Sequence, residues 1–405
     1  MVKSFFGIGF YYTHYQCLGH TTRVLTLIEA IKKKFFHFNI FNIQGSKSQD
    51  FLQLSKSSKS HSLPFPLFSH KSFEIGYKLN NLVVNVRERA LFDIIRKLKL
   101  SVFITEYFPL GRNVCKYELL SSLCYLSKNR SVILSSAGYP VISKRSINDL
   151  SKFIPFYTRI FIHSPNIEVD YVANSYKSKN EKEKYLKVFD KYSDKITFTG
   201  YLIPSQLNFS DIKRIKLEKD KINILVMRGA GAYYSNIIAT AIRASDLVDE
   251  DLHFTIIAGP STTDRDWKYF QSLMKKKTIK NAILIKYTSQ MNRLIMKCNL
   301  CICPASYNTS VLLLYFKKDS IIIPFEGYGN IYYREQPSRA RLLKDFIGSS
   351  IINYTKLAPL KLAKEIERKI KYPRKLQHKK VDRSWFNGKE IFLKEFYTLH
   401  KKAEA

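Results

Sequence analysis

Four short stretches of this chain gather side chains that could do chemistry beside small residues that would let a ligand approach. The first is the run 13–23, Thr-His-Tyr-Gln-Cys-Leu-Gly-His-Thr-Thr-Arg. In it Gly19 gives the backbone freedom to close on a ligand, and His20 offers an imidazole suited to proton transfer near neutral pH. The second runs from Arg228 to Ala232, where Gly229 and Gly231 could turn backbone N–H groups toward an anion. The third joins Pro304, Ala305, Ser306, Tyr307, Asn308 and Thr309, whose hydroxyl and amide groups suit phosphate oxygens. The fourth, Arg334 to Ala340, sets Glu335, Gln336 and Arg339 where they could hydrogen-bond sugar hydroxyls. Each has a plain alternative: a water-facing histidine, a tight turn, ordinary helix capping by Ser306 or Asn308, and a solvated charged face. The Gly-x-Gly is neither a P-loop nor a full dinucleotide fingerprint.

Stepping outward, these stretches fall where apolar runs give way to helical patterns. The first half predicts strands at 4–12, 38–43, 101–105, 131–135 and 159–164. The helix after the first strand carries Val24, Leu27, Ile28 and Ile31, and another carries Leu91, Ile94, Ile95 and Leu98, both at helical spacing. Residues 46–62, rich in Ser and Lys, predict a surface loop. The second half predicts strands at 221–228, 253–259, 282–286, 299–303 and 320–325, each with room for one helix. That grammar is a parallel α/β sheet, doubly wound, in each half. Ligands of such sheets bind at the carboxyl ends of the strands, where all four stretches lie. The domain division is 1–203, a linker at 204–220, a second domain at 221–384, and a closing helix at 385–405.

The chain has 405 residues, too many for one comfortable core, and 45% of them are hydrophobic, enough for packed interiors. Sixty-seven basic residues against 33 acidic ones leave a net charge of +34. The surplus favours phosphates or an anionic membrane surface, although a compositional bias toward Lys explains it equally well. The charges are scattered and form no stripe, so no specific nucleic-acid partner is expected. Cys298, Cys301 and Cys303 mimic metal-ligand spacing, but two share one face of an apolar strand, which predicts core cysteines. No cysteine pattern suggests a disulfide framework, and no run of about 18 apolar residues predicts a membrane span, so a cytoplasmic location is expected.

Taken in order, the segments resemble a group of glycosyltransferases related to the N-acetylglucosaminyltransferase that builds the peptidoglycan lipid intermediate, within family 28. The stretch from Tyr12 to Ala30, with Gly19-His20-Thr21-Thr22-Arg23, resembles the group's G-L-G-H-x-x-R opening. Glu106-Tyr107-Phe108-Pro109-Leu110-Gly111-Arg112, with Glu118-Leu119 following, is similar to its E-x-F-P-x-G-R…E-L segment. The strand and loop ending at Gly231, the turn Ser306-Tyr307-Asn308-Thr309, and the helix start Arg334 to Ala340 resemble its Gly-rich loop, G-G-Y-N-T turn and R-E-Q-x-x-R-A motif. The resemblance spans roughly residues 4 to 345.

The resemblance implies the GT-B fold, two Rossmann-like domains facing a cleft, and transfer of a sugar from a nucleotide sugar to an acceptor, lipid-linked or small. The donor would bind at Gly229, Gly231, Ser306, Tyr307, Asn308, Thr309, Glu335, Gln336 and Arg339. Gly19, Arg23 and Arg112 would line the acceptor side. His20 would be the base, or a residue binding acceptor or phosphate, with His14 its rival and Glu106 beside them. Neither metal nor cofactor is implied, because helix N-termini and basic groups can hold a leaving diphosphate. Two positions depart from the group: Leu312 stands where a Glu usually holds the donor ribose, and Ala305-Ser306 replaces the double glycine. Alternatives are a nucleotide-sugar 2-epimerase, for which Glu106 and Glu335 are the carboxylates at hand, an inactive homologue, and a basic protein that binds anionic surfaces.

Overall fold

The computed structural model describes residues 7–13, 19–35, 37–45, 59–64, 81–142, 144–204, 215, 217–229, 235–276, 278–325, 332–373 and 379–404. His14 and Gly231, both singled out above, lie outside them. The first domain runs β1 (Gly7–Tyr12), α1 (Gly19–Lys34), β2 (Asn39–Gln44), β3 (Lys59–Ser62), α2 (Asn81–Leu98), β4 (Leu100–Glu106), α3 (Lys116–Lys128) and β5 (Val132–Ala137). It continues through α4 (Lys144–Phe153), β6 (Arg159–Ile162), α5 (Glu168–Ala173), α6 (Lys179–Lys191) and β7 (Ile196–Phe198). Its strands form one parallel sheet in the order β3-β2-β1-β4-β5-β6-β7.

The second domain comprises β8 (Ile222–Met227), α7 (Ser235–Ser245), β9 (Leu252–Ile257), α8 (Asp264–Met274), β10 (Ala282–Ile285), α9 (Met291–Lys297) and β11 (Leu300–Cys303). It ends with α10 (Tyr307–Tyr315), β12 (Ser320–Ile322), α11 (Tyr332–Ile347), β13 (Ser350–Ile351) and α12 (Pro359–Lys371). Its sheet is also parallel, in the order β10-β9-β8-β11-β12-β13. This is the α/β architecture expected from the sequence. Helices cover both faces, so the central strands are buried throughout and read as unbroken apolar runs.

The α1 stripe is buried as its spacing requires, Val24, Leu27, Ile28 and Ile31 meeting Ile8, Phe10 and Tyr12 of β1. Each such side chain stabilises the fold by roughly 1.5–3 kcal/mol relative to exposure. The last helix, α13 (Gly388–Glu404), returns to the first domain, where Phe392, Leu393 and Phe396 join that same cluster. On the way, the partly buried Trp385 packs against the second domain's core, and its carbonyl accepts a hydrogen bond from the Tyr201 N–H.

Part of the expected 46–62 loop is strand. Lys59–Ser62 pairs with β2 at the sheet edge, and Lys59, Ser60 and Ser62 face water. An edge strand with a wet face is polar by nature, so it carried no apolar signal. The three-residue β7 and two-residue β13 are similarly short strands toward sheet edges. Cys298, Cys301 and Cys303 are buried in the second core with free thiols, the first two with sulfurs 3.2 Å apart. Among the described residues, no helix is long and apolar enough to cross a membrane.

Candidate active site

In each sheet the strand order reverses between two neighbours, β1 and β4 in the first domain and β8 and β11 in the second. A crevice opens there because the following helices go to opposite faces. His20 is the second residue of α1, just beyond β1, and Glu106 is the last residue of β4, the strand paired with β1. Residues 86 apart in sequence thus meet at one switch point. The Oε2 of Glu106 lies 2.5 Å from the Nδ1 of His20, and its Oε1 accepts from Arg23, one turn along α1. On the far side of the ring, Arg112 Nη2 stands 2.8 Å from Nε2.

These contacts fix the tautomer. Burial disfavours a charged carboxylate, but His20, protonated in the acid range where Glu106 titrates, and Arg23 outweigh it through charge and hydrogen bonds, holding the Glu106 pKa at about 2. An ionised carboxylate accepts only, so the proton on Nδ1 points at Glu106. A guanidinium donates only, so Nε2 bears the lone pair and accepts from Arg112. The 3.1 Å approach of Arg23 to Nδ1 is then between two donors sharing one carboxylate. Burial lowers the His20 pKa, Arg112 and Arg23 push it the same way, and the opposing pull of Glu106 does not overcome them. The imidazole is therefore neutral at pH 7, with its base nitrogen directed away from the carboxylate that orients it.

The turn carrying Glu106 and Arg112 is tightly wound. Tyr107 and Arg112 have φ of 68° and 52°, conformations costly for side chains with a Cβ. The Tyr107 ring lies over Gly111, where an added Cβ would come within 2.1 Å of it. Its hydroxyl donates to the Val141 carbonyl at 3.1 Å, and its ring stands edge-on to His20, centroids 6.2 Å apart.

Across the cleft, at the second switch point, Gly229 follows the end of β8 and Pro304 the end of β11. Gly229 adopts φ of 81°, which a residue with a Cβ would resist. Ser306 precedes α10, but its hydroxyl donates to Thr309 Oγ1 at 2.9 Å and caps no backbone N–H. The Asn308 Oδ1 is buried without a hydrogen-bond partner among the described residues.

Residues 223–395 match the glycosyltransferase family 28 C-terminal domain. The second domain is thus of the family 28 glycosyltransferase type. No curated protein sequence matches it. Solved structures similar to it include MurG of Acinetobacter baumannii, 10% identical over 98% of this chain and 95% of that one, with a TM-score of 0.55. SnogD of Streptomyces nogalater is 11% identical, covering 98% of each chain at a TM-score of 0.59. VinC, solved in complex with dTDP, is 8% identical over 98% of this chain and 95% of that one, at 0.55. At such identities the likeness establishes the fold.

Several residues expected at the donor side hold the two domains together. The Tyr307 hydroxyl donates to the His163 carbonyl at 2.5 Å and accepts from the Leu202 N–H at 3.2 Å, both in the first-domain half of the chain. Arg23 lies over the Tyr307 ring, 5.0 Å from its centroid. Arg339 is buried between the Ala305 carbonyl at 2.5 Å and Glu335 at 2.7 Å, and its guanidinium covers the Tyr139 ring at 4.3 Å. Burial works against the charge on Glu335, but Arg339 outweighs it and keeps the pKa low, with smaller help from Arg23 and His20. Gln336 accepts from the Phe325 N–H at 3.0 Å. The register position of the ribose-holding Glu, Leu312, is buried in the second core and offers no acceptor there.

Arg228, noted only as the start of a Gly-rich run, is a buried strut. It donates to the Ala258 carbonyl, to Ser235 Oγ at 2.9 Å and to Thr262 Oγ1 at 2.9 Å, tying the ends of the β8 and β9 loops. A charged residue closing an apolar strand was the available signal. The chain contains two Asp-x-Asp sequences, at Asp249 with Asp251 and Asp264 with Asp266. The second opens α8, and Asp266 accepts from Ser235 Oγ at 2.7 Å. Among the described residues no cluster of three His, Cys, Asp or Glu could hold a metal ion.

Proposed function

We propose that this glycosyltransferase moves a sugar from a nucleoside diphosphate to an acceptor hydroxyl, with His20 as general base and Glu106 as the residue that orients it. The observation carrying this reading is the alignment of Glu106, Nδ1 and Nε2 at the β1/β4 switch point. The hydroxyl proton passes to Nε2 as the oxygen bonds to the anomeric carbon, and the bond to the diphosphate breaks with its electron pair leaving on phosphate oxygen. Such base catalysis contributes about 10²–10⁴-fold. That both cleft carboxylates are ion-paired with arginines favours transfer over epimerisation, which needs carboxylates free to exchange protons.

On this reading the donor diphosphate lies on the backbone of the Gly229–Gly231 loop and the first turn of α10, at Ser306, Asn308 and Thr309. No obligatory metal is needed, since N–H groups and helix dipoles can receive the developing charge. That VinC, which shares the fold, was solved in complex with dTDP supports a nucleotide donor. Asn308 Oδ1 is suited to a ribose hydroxyl in place of the absent Glu. Glu335, Gln336 and Arg339 serve by fixing the backbone at Ala305 and Phe325 beside the donor.

The net charge of +34 supports reversible attachment to the cytoplasmic face of an anionic membrane, which salt would weaken. Equal co-sedimentation with neutral and anionic vesicles would remove that part of the reading. The catalytic part is tested by His20→Ala. The variant should keep its nucleotide binding, melt a few degrees lower for want of the Glu106 contact, and lose most transfer per folded molecule. Near-normal transfer in His20→Ala, with loss in His14→Ala, would assign the base to His14.

A further inference from the structure

We infer that the outer edge of the second sheet is a docking groove for an extended, acidic segment of a partner protein. β13 is the last strand in the order and pairs with β12 alone among the described strands. The Ile352 N–H donates to the Ile322 carbonyl at 2.9 Å, so by alternation along the strand the N–H and C=O of Ile351 point outward. No hydrogen bond joins them to a described residue. Beside this edge runs a groove of about 1150 Å³, lined by the last turn of α11 and by α12, which pack on opposite faces of the sheet. Ile351 and Leu360, 38% and 58% exposed, are its apolar footholds.

Charge selects the occupant. Lys344, Lys361, Lys364, Arg368 and Lys379 line the groove against two carboxylates, Asp345 and Glu365. Both carboxylates are engaged. Asp345 accepts from the Tyr171 hydroxyl at 2.5 Å and lies 3.9 Å from Lys379, while Glu365 pairs with Arg368, which also donates to Ser350 Oγ. Lys344, Lys361 and Lys364 are exposed and form no ion pair with a described residue. An extended segment can hydrogen-bond Ile351 through its backbone, seat an apolar side chain on Ile351 and Leu360, and present carboxylates to these lysines. A nucleic-acid backbone would meet the lysines but leave the strand edge unpaired. The same lysines repel a second copy of this chain, whose net charge is +34, and so guard the edge against self-pairing. The edge lies beyond β12 on the far side from β11, so a docked segment leaves the β8/β11 switch point open.

The test measures binding of a fluorescent short peptide, alternating glutamate with valine, to the full chain at physiological salt. Wild type should bind it saturably. The double variant Lys361→Glu/Lys364→Glu should bind roughly tenfold more weakly. Lys184→Glu/Lys187→Glu, an exposed pair on α6 with the same change in net charge, should lose less than about twofold. The same peptide N-methylated along its backbone keeps its carboxylates but cannot pair as a strand, and should also bind roughly tenfold more weakly. Amide hydrogen exchange at Ile351 should slow in the complex. Equal losses in the two double variants would reduce the binding to net charge and overturn the inference. Unchanged exchange at Ile351, full binding of the N-methylated peptide, or no saturable binding at all would each do the same. An oligouridylate that binds where the peptide does not, and is lost only in the groove variant, would assign the groove to nucleic acid instead.

Discussion

Replacing Glu106 with Gln separates what the carboxylate does for folding from what it does for His20. The side chain is 2% exposed and bridges His20 and Arg23. A pKa lowered from 4.5 to about 2 corresponds to about 3 kcal/mol favouring the ionised form in the folded protein. Gln keeps the shape but not the charge, and leaves the buried Arg23 guanidinium without its carboxylate, a change of similar size. For a chain of this length the unfolding entropy is roughly 0.9 kcal/mol/K, so melting should fall by about 3–4 °C at neutral pH. The sign of the pH dependence is fixed. A depressed pKa stabilises above 4.5 and loses its effect as pH falls toward 2, so wild type and Glu106→Gln should converge in urea midpoint near pH 2–3. For catalysis, an amide can rotate its NH2 toward Nδ1 and so favour the wrong tautomer. Transfer per folded molecule should then fall about 10²–10⁴-fold. A variant that loses stability but transfers normally would show that Glu106 serves only Arg23. Unchanged stability and unchanged transfer together would refute the ionised bridge itself.

Three further outcomes follow. The acid limb of the pH profile of kcat/KM should lie below 6.5, because the His20 pKa is lowered, and should move upward in Arg112→Gln, where a neighbouring cation is lost. A nucleoside diphosphate at about a hundredfold above its Kd should stabilise the protein by about 2.7 kcal/mol in thermal shift; Gly229→Asp should abolish the effect, and failure of every common nucleotide would refute the donor site. Glu168, buried with its pKa raised to about 8 by desolvation, is protonated at neutral pH and accepts from the Tyr201 hydroxyl. A raised pKa is worth most below 4.5, so wild-type stability should decline relative to Glu168→Gln as pH rises from 5 to 8, and parallel melting curves across that range would contradict it.

The sequence by itself determined the layers and the places where chemistry could gather. Strands buried on both faces must be apolar along their length, and α1 must present Val24, Leu27, Ile28 and Ile31 to them, so periodicity alone was enough. Because ligands of such sheets sit where strands end, the stretches at 19–23, 229–231 and 304–309 stand out as candidates from the sequence. Partnership does not. Glu106 meets His20 across 86 residues because β4 pairs beside β1, and nothing local to either residue encodes that pairing. Arg339 and Tyr307 looked like ligand groups, and only packing placed them on Ala305 and on the His163 carbonyl. The last helix follows the second domain in sequence yet lies on the first, since its apolar face at Phe392 and Phe396 fits the surface left open beside α1. Local pattern sets which residues must be buried or must turn; which distant residues share one proton is set by strand order, and strand order is a property of the folded chain.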